Sequence, residues 1–128
     1  MRTTNKIQLT PLERAMRCAA LALDKKAEDV KILDVRRISS IADYLVLASG
    51  HSDKQTQAIA ESVRLELKKF GKVLDMEGAR EGNWVILDYG DVILHVFKEE
   101  TRRYYDFDAL WADAEVVALP EDYRPDTR

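Results

Sequence analysis

The sequence predicts a mixed α/β domain, a five-stranded mixed sheet with helices packed on it. Three observations carry this. Residues 44–49, YLVLAS, form a nearly continuous apolar run, the pattern of a strand covered on both faces. Residues 84–97, WVILDYGDVILHVF, read as two further strands joined by a tight turn at Gly90, and in each the aliphatics run together rather than alternate. Between these runs, apolar residues recur at helical spacing. A hairpin with one wet face normally alternates apolar and polar residues. This one is apolar on both faces and needs two covers. One comes from the chain's own helices; the other comes from more of the chain or from a partner.

Taken in order, residues 1–9 carry no clear period and read as a loose tail. Thr10-Pro11-Leu12-Glu13 is a helix start, with Thr as N-cap, Pro at the first helical position and Glu placed to close a capping box. Leu12, Met16, Ala19 and Leu23 then form one stripe, giving a helix over 11–27 with Lys25 and Lys26 at its carbonyl end. Residues 30–36 have the β-branched content of a strand. The link to residues 44–49 is too short for a crossover, so these two strands are antiparallel neighbours. Ser52 caps the next helix, Ile59, Val63, Leu67 and Phe70 mark its buried face, and Gly71 stops it. A short strand over 72–76 follows a crossover and runs parallel to the second strand. Residues 77–83 are a surface loop. After the hairpin, residues 99–115 read as helix with a break near Asp106, and residues from 119 on as an extended tail. The domain thus spans 10–118.

The turn sets the hairpin's faces. Tyr89 at the first position of a type I′ turn would need a costly positive φ. A type I turn ending in a Gly90 bulge fits better, pairing Leu87 with Asp91 and placing Trp84 and Ile86 beside Val92, Leu94 and Val96. A two-residue loop would instead set Trp84 across from His95.

The composition bounds function. With 46% hydrophobic and 34% charged residues in 128, the chain buries a core without disulfide or metal. The single cysteine, Cys18, reads as a small buried hydrophobe in a reducing compartment. Neither a signal-peptide pattern nor an apolar run near the ~18 residues of a membrane span is present, so a cytoplasmic protein is expected. A net charge of −3 and a pI near 5.4 argue against phosphate-backbone binding as the main activity and suit a basic protein partner.

Sites were sought by residue type. The Gly50 junction lacks the glycines and lysine of a phosphate loop and reads as an ordinary strand-to-helix turn. Asp75, Glu77 and Asp88 offer carboxylates that a magnesium-dependent nucleotidyltransferase would use, but no basic group for a triphosphate stands near in sequence. His51 and His95 have no metal-ligand spacing with each other or with Cys18. Arg102 and Arg103 lie among acidic residues, which favours local ion pairs over base stacking. The aromatics Trp84, Tyr89, Tyr104, Tyr105 and Trp111 make the best protein-interface candidates.

Several of these residues together carry a resemblance. They are Ile41-Ala42-Asp43-Tyr44, Ala48-Ser49-Gly50-His51-Ser52, Glu77-Gly78, the whole run 84–97, Glu100-Thr101-Arg102-Arg103-Tyr104-Tyr105 and Leu110-Trp111. In this order they resemble the ribosomal silencing factor family (RsfS, also called iojap-like). Phe107-Asp108 departs mildly from the family's usual Leu-Glu, and Tyr89 from its usual Leu. The resemblance implies a nucleotidyltransferase-like topology without the catalytic apparatus, no cofactor or metal, no small-molecule substrate and no membrane role. It implies binding to a basic large-subunit ribosomal protein, number fourteen, near rRNA, so that the small subunit cannot join and translation slows in starvation. Self-association of the free protein through the same surface is a further expectation. On this reading Trp84 and Tyr89 are the anchors, Asp88 and Asp91 face basic groups on the partner, and His95, Phe97, Tyr104 and Tyr105 are additional contacts. The competing classes are the nucleotidyltransferase and a pure dimerisation module.

Overall fold

The apolar run at 44–49 becomes the strand on which both layers rest. In the computed structural model, which describes residues 8–125, the chain runs α1 (Pro11–Asp24), β1 (Glu28–Asp34), β2 (Tyr44–Gly50), α2 (Asp53–Leu67), β3 (Asp75–Glu77), β4 (Trp84–Asp88), β5 (Val92–Lys98), α3 (Glu99–Tyr105), α4 (Phe107–Leu110) and β6 (Glu115–Val117). The sheet order is β3-β4-β5-β2-β1-β6, with β2 and β5 parallel and the other pairs antiparallel. Every residue of β2 is buried. The sheet is mixed, as expected, but has six strands rather than five. The sixth, β6, pairs with β1 just where the expected 99–115 helix ends, in residues given no element from the sequence beyond Glu115. Two β-branched residues, Val116 and Val117, favour that extended segment over helix.

Helices α1 and α2 cover one face. The capping box of α1 forms: Glu13 N donates to Thr10 Oγ1 at 3.1 Å and Thr10 N to Glu13 Oε1 at 2.9 Å. The helix meets the sheet through Ala15, Cys18, Ala19 and Ala22, all fully buried and all small. It ends at Asp24, earlier than expected, because Lys26 takes a left-handed φ of 68° and Ala27 N donates back to Ala22 O at 3.0 Å. Burial pushes the Cys18 thiol up to about 12, so it packs as a hydrophobe and not as a nucleophile.

β3 shows how topology overrides local reading. It runs in the same direction as β2, as expected, yet lies at the sheet edge, with β4 and β5 between them. The hairpin register differs from both expected alternatives. Trp84 pairs with Phe97, Ile86 with His95 and Leu87 with Leu94. Gly90, at φ 91°, begins a two-residue loop with Asp91, and Tyr89 N donates to Val92 O at 2.9 Å. Gly90 supplies the positive φ as the first loop residue, where both alternatives had it as the last, and Tyr89 avoids it. That shift puts Phe97, His95 and Ile93 on Trp84's face and sends Val92, Leu94 and Val96 to the α1–α2 side. At the other end of β4, Gly78 lies so close to Trp84 O that a Cβ there would stand 2.0 Å from it. Only glycine fits at that point.

The second face is closed by α3 and α4. They meet at Asp106, whose left-handed φ of 49° makes the expected break. One side chain ties them down. Arg102, 6% exposed, donates to both carboxylate oxygens of Asp108 at 2.8 and 2.9 Å, to Ser49 Oγ at 2.8 Å and to Asp29 O at 2.9 Å. Asp29 is aimed there by a β1 irregularity between Glu28 and Lys31, where it takes φ 51°. Lys31 adds a bond to Asp108 at 2.9 Å. The expected local ion pairing holds for Arg102. Beyond β6, Leu119 packs against the α1-side core. Residues 1–7 and 126–128 of the expected tails lie outside the described residues.

Removing Arg102 leaves the partly exposed Asp108 carboxylate with Lys31 alone and the buried Ser49 hydroxyl without its donor. Arg102→Met is expected to cost about 1–3 kcal/mol, read by urea denaturation. The Arg102 guanidinium, with Lys31, holds Asp108 well below its ordinary 3.8. The pair's contribution is therefore complete above pH 4 and declines as pH falls below it. Asp108→Asn should flatten that acid limb in stability measured against pH.

Candidate protein-docking face

The outer face of β4 and β5 carries a cluster of rings. Trp84 stands at its centre, 5.0 Å from Phe97, 5.4 Å from Tyr105, 5.5 Å edge-on to Phe107 and 6.0 Å from His95, measured between ring centres. The register places Trp84, Ile86 and Asp88 along one side of β4, opposite Phe97, His95 and Ile93 of β5. Helix α4 sets Phe107 over them, 4.8 Å from His95 and 5.1 Å from Phe97.

A hydrogen bond fixes the arrangement. Trp84 Nε1 donates to His95 Nδ1 at 3.0 Å. An indole N–H can only donate, so Nδ1 bears the lone pair and the imidazole is the neutral Nε2–H form. Burial pushes His95 down to about 4, which keeps it neutral at physiological pH. It acts as a buried acceptor toward the Trp84 indole.

The two short helices leave part of this face open. Ile41, Leu45, Ile86, Ile93, His95, Phe107 and Trp111 line a groove of about 260 Å³ whose rim carries Asp75, Glu77 and Asp88. Ile41 is 65% exposed at its mouth, and Trp111 Nε1 points into buried surroundings without a hydrogen-bond partner. The rim is acidic because β3 pairs Asp75 with Asp88 and Glu77 with Ile86, putting three carboxylates on one side. They form an edge of negative charge. They do not gather into a three-ligand set, since the one group of metal-type donors within 4.8 Å of one another among the described residues is Glu28, His51 and Glu99.

The expected contact residues divide in two. Trp84 is half-buried with an accessible edge, Asp88 sits on the groove rim, and Tyr104 and Tyr105 are exposed, stacked edge-on to each other at 5.0 Å. Tyr89 and Asp91 lie on the α1 side. Tyr89 is buried under Arg14 at 5.3 Å, and Asp91 pairs with that same Arg14 at 3.1 Å. Phe97 is wholly enclosed and His95 nearly so, so both support the face from beneath. The cause is alternation along the hairpin: Tyr89 continues β4 one residue past Asp88 and so faces away from Trp84, and Asp91 closes the loop on that same side. Sequence reasoning passed over Ile41, Ile86 and Ile93 as groove residues, while Trp111, one of the interface aromatics it named, does line the groove. An exposed Ile next to Ala42-Asp43 in a polar link was the one signal available.

The comparisons with known proteins agree with one another. Residues 8–128 match the family model described as ribosomal silencing factor during starvation. The ribosomal silencing factor RsfS of Bacillus subtilis is 45% identical over 102 residues, covering 79% of this chain and 86% of that one. The chloroplastic protein Iojap of Arabidopsis thaliana is 33% identical over 107 residues, 83% of this chain and 44% of the plant protein. A crystal structure of a Chromobacterium violaceum protein superposes with a TM-score of 0.78 at 32% identity, covering 88% of this chain and 98% of that one. With the family model spanning nearly all of the described fold, this chain belongs to the ribosomal silencing factor (RsfS) family.

Proposed function

We propose that this protein is a non-enzymatic repressor of translation that docks on the large ribosomal subunit through the acid-rimmed groove and blocks joining of the small subunit. The observation that carries this reading is the pairing of an open apolar floor with three carboxylates on one rim. Such a surface suits a partner presenting aliphatic side chains flanked by Lys or Arg, as a basic ribosomal protein does. Large-subunit ribosomal protein number fourteen, with rRNA nearby, is the partner this reading names. The action is steric: a small rigid domain occupies surface that the other subunit needs. A cytoplasmic location follows from that role, and among the described residues no helix is long and apolar enough to cross a membrane. The same open groove offers the free protein a surface for self-association.

Within the face, Trp84 joins the groove to the exposed Tyr105 through its ring contact, and Ile41 is the most accessible groove aliphatic. The Trp84–His95 bond holds the indole in place, so docking depends on a neutral His95.

Four outcomes are expected. In co-sedimentation with purified large subunits, with small subunits as competitor, Ile41→Asp should abolish most binding while leaving the fold intact. Trp84→Ala, checked for folding by circular dichroism, should weaken binding by about 2 kcal/mol or more, roughly thirtyfold. Retained binding by folded Ile41→Asp would place the docking surface elsewhere. Asp75→Asn with Asp88→Asn should slow association and flatten its salt dependence, measured by stopped-flow mixing at two ionic strengths. Finally, His95 protonates near 4 when folded and near 6.5 when unfolded. Stability from its neutral form is therefore complete above pH 6.5 and falls between 6.5 and 4. In a Trp111→Phe background, Trp84 fluorescence should titrate near pH 4, and His95→Gln should remove that step.

A further inference from the structure

At the opposite end of the β2–β5 pair, three metal-type donors meet. Parallel neighbours end side by side: Gly50 pairs with Lys98, so the residues that follow, His51 and Glu99, leave the sheet together. Glu28 joins them because it pairs with Ser49 on the other flank of β2. Topology alone therefore brings three distant stretches of sequence to one point. His51 Nε2 lies 3.1 Å from Glu28 Oε2, and His51 Nδ1 lies 3.8 Å from Glu99 Oε1. One donor atom from each residue falls within 4.8 Å of the other two.

We propose that Glu28, His51 and Glu99 form a three-ligand site for a transition-metal dication of the zinc class. The donor set decides the class: one imidazole nitrogen with two carboxylates suits zinc, whereas magnesium and calcium favour all-oxygen shells. Tetrahedral zinc with ligands at about 2.0–2.1 Å holds neighbouring donor atoms roughly 3.3 Å apart. Here one donor atom per residue lies within 4.8 Å of the others, with Glu28 and Glu99 facing opposite nitrogens of His51. The set closes to that spacing when an exposed glutamate side chain swings to the nitrogen that binds. The fourth position opens to solvent, since the three side chains are 39–58% exposed.

The surroundings favour a cation. The ion pairs of Glu28 and Glu99 among the described residues are with His51 alone. Arg102 and Arg103 line the cavity that Glu28 and Glu99 share; Arg102 is committed to Asp108, Ser49 and Asp29. Among the described residues neither glutamate makes an ion pair with a Lys or Arg, Arg103 included. The amino end of α2 opposes a cation with a partial charge of about one half, less than the two full negative charges of the glutamates. The histidine is also held in place. Its backbone N–H donates to Gln55 Oε1 at 2.7 Å, and Gln55 Nε2 donates in turn to the carbonyls of Lys25 and Lys26. A metal there ties the start of β1, the β2–α2 turn and the start of α3 into one unit. Helix α3 is the element that carries Tyr104 and Tyr105, so its anchorage bears on the docking face without depending on what docks there.

The composition makes the test clean. The chain has two histidines and one cysteine, and both His95 and Cys18 are buried. Titrating the metal-free full chain with zinc chloride by calorimetry should give one site per chain and a saturable rise in Tm. Cobalt(II) should give the visible absorption bands of a tetrahedral nitrogen–oxygen site. His51→Ala and Glu28→Gln should each weaken zinc at least tenfold and remove the cobalt bands, with docking to large subunits in metal-free buffer unchanged. Equal zinc affinity in His51→Ala and the parent, or no binding at millimolar zinc, would overturn the proposal.

Discussion

A single buried guanidinium determines whether the second layer of this fold exists. Helices α3 and α4 have seven and four residues, too short to be stable alone. They are held on the sheet by Arg102, which reaches from α3 to the start of β1 and the end of β2 and clamps Asp108 on α4. Because it lies 5.9 Å over the Phe97 ring, the cation also seats against the ring cluster it encloses. Beneath it Phe107 packs on the apolar outer side of β2 and β5, with Trp111 and Ala114 beside it. The layer on the other side needs no such clamp, since α1 and α2 are long enough to bury a continuous stripe.

The groove follows from the size of that second layer. Two short helices cover the β1–β2–β5 part of the sheet and stop before the β3–β4 edge. The uncovered part is therefore bounded by rings on one side and by the carboxylates of β3 on the other. This is a half-finished core: its floor has the composition of an interior, and its rim has the charge of a surface. Such a surface gains most from a partner that supplies the missing aliphatics together with cations. Closure by the chain's own segments is partial, which is why some of the candidate aromatics prove to be interior and others remain accessible.

Much of this was legible in the sequence, for reasons that can be named. The capping box at Thr10, the αL break at Asp106 and the doubly buried β2 are local signals, each written in a few adjacent residues. The family resemblance rested on long ordered runs and needed no geometry. What local reasoning missed was set by long-range pairing. The position of β3 depended on the hairpin inserting between it and β2. The register turned on where Gly90 falls in the loop: because it begins the loop rather than ending it, every side chain of β5 sits on the opposite face relative to Trp84 from the one the bulged turn gives. β6 could be seen only once β1 was known to have a free edge. The division of the contact candidates follows directly, for Tyr89 and Asp91 belong with Arg14, a residue 75 or more positions earlier in the chain.

The two sides of the sheet also differ in grain. Under α1 the spacers are Ala15, Cys18, Ala19 and Ala22, so helix and strand backbones sit close, with little side-chain length to rearrange. Under α3 and α4 the filling is aromatic, with rings that can tilt on their bonds. Mechanically, one side is a stiff backing plate and the other a compliant pad. Any adjustment of shape on meeting another molecule will be taken up on the aromatic side, while the plate keeps the strands in line.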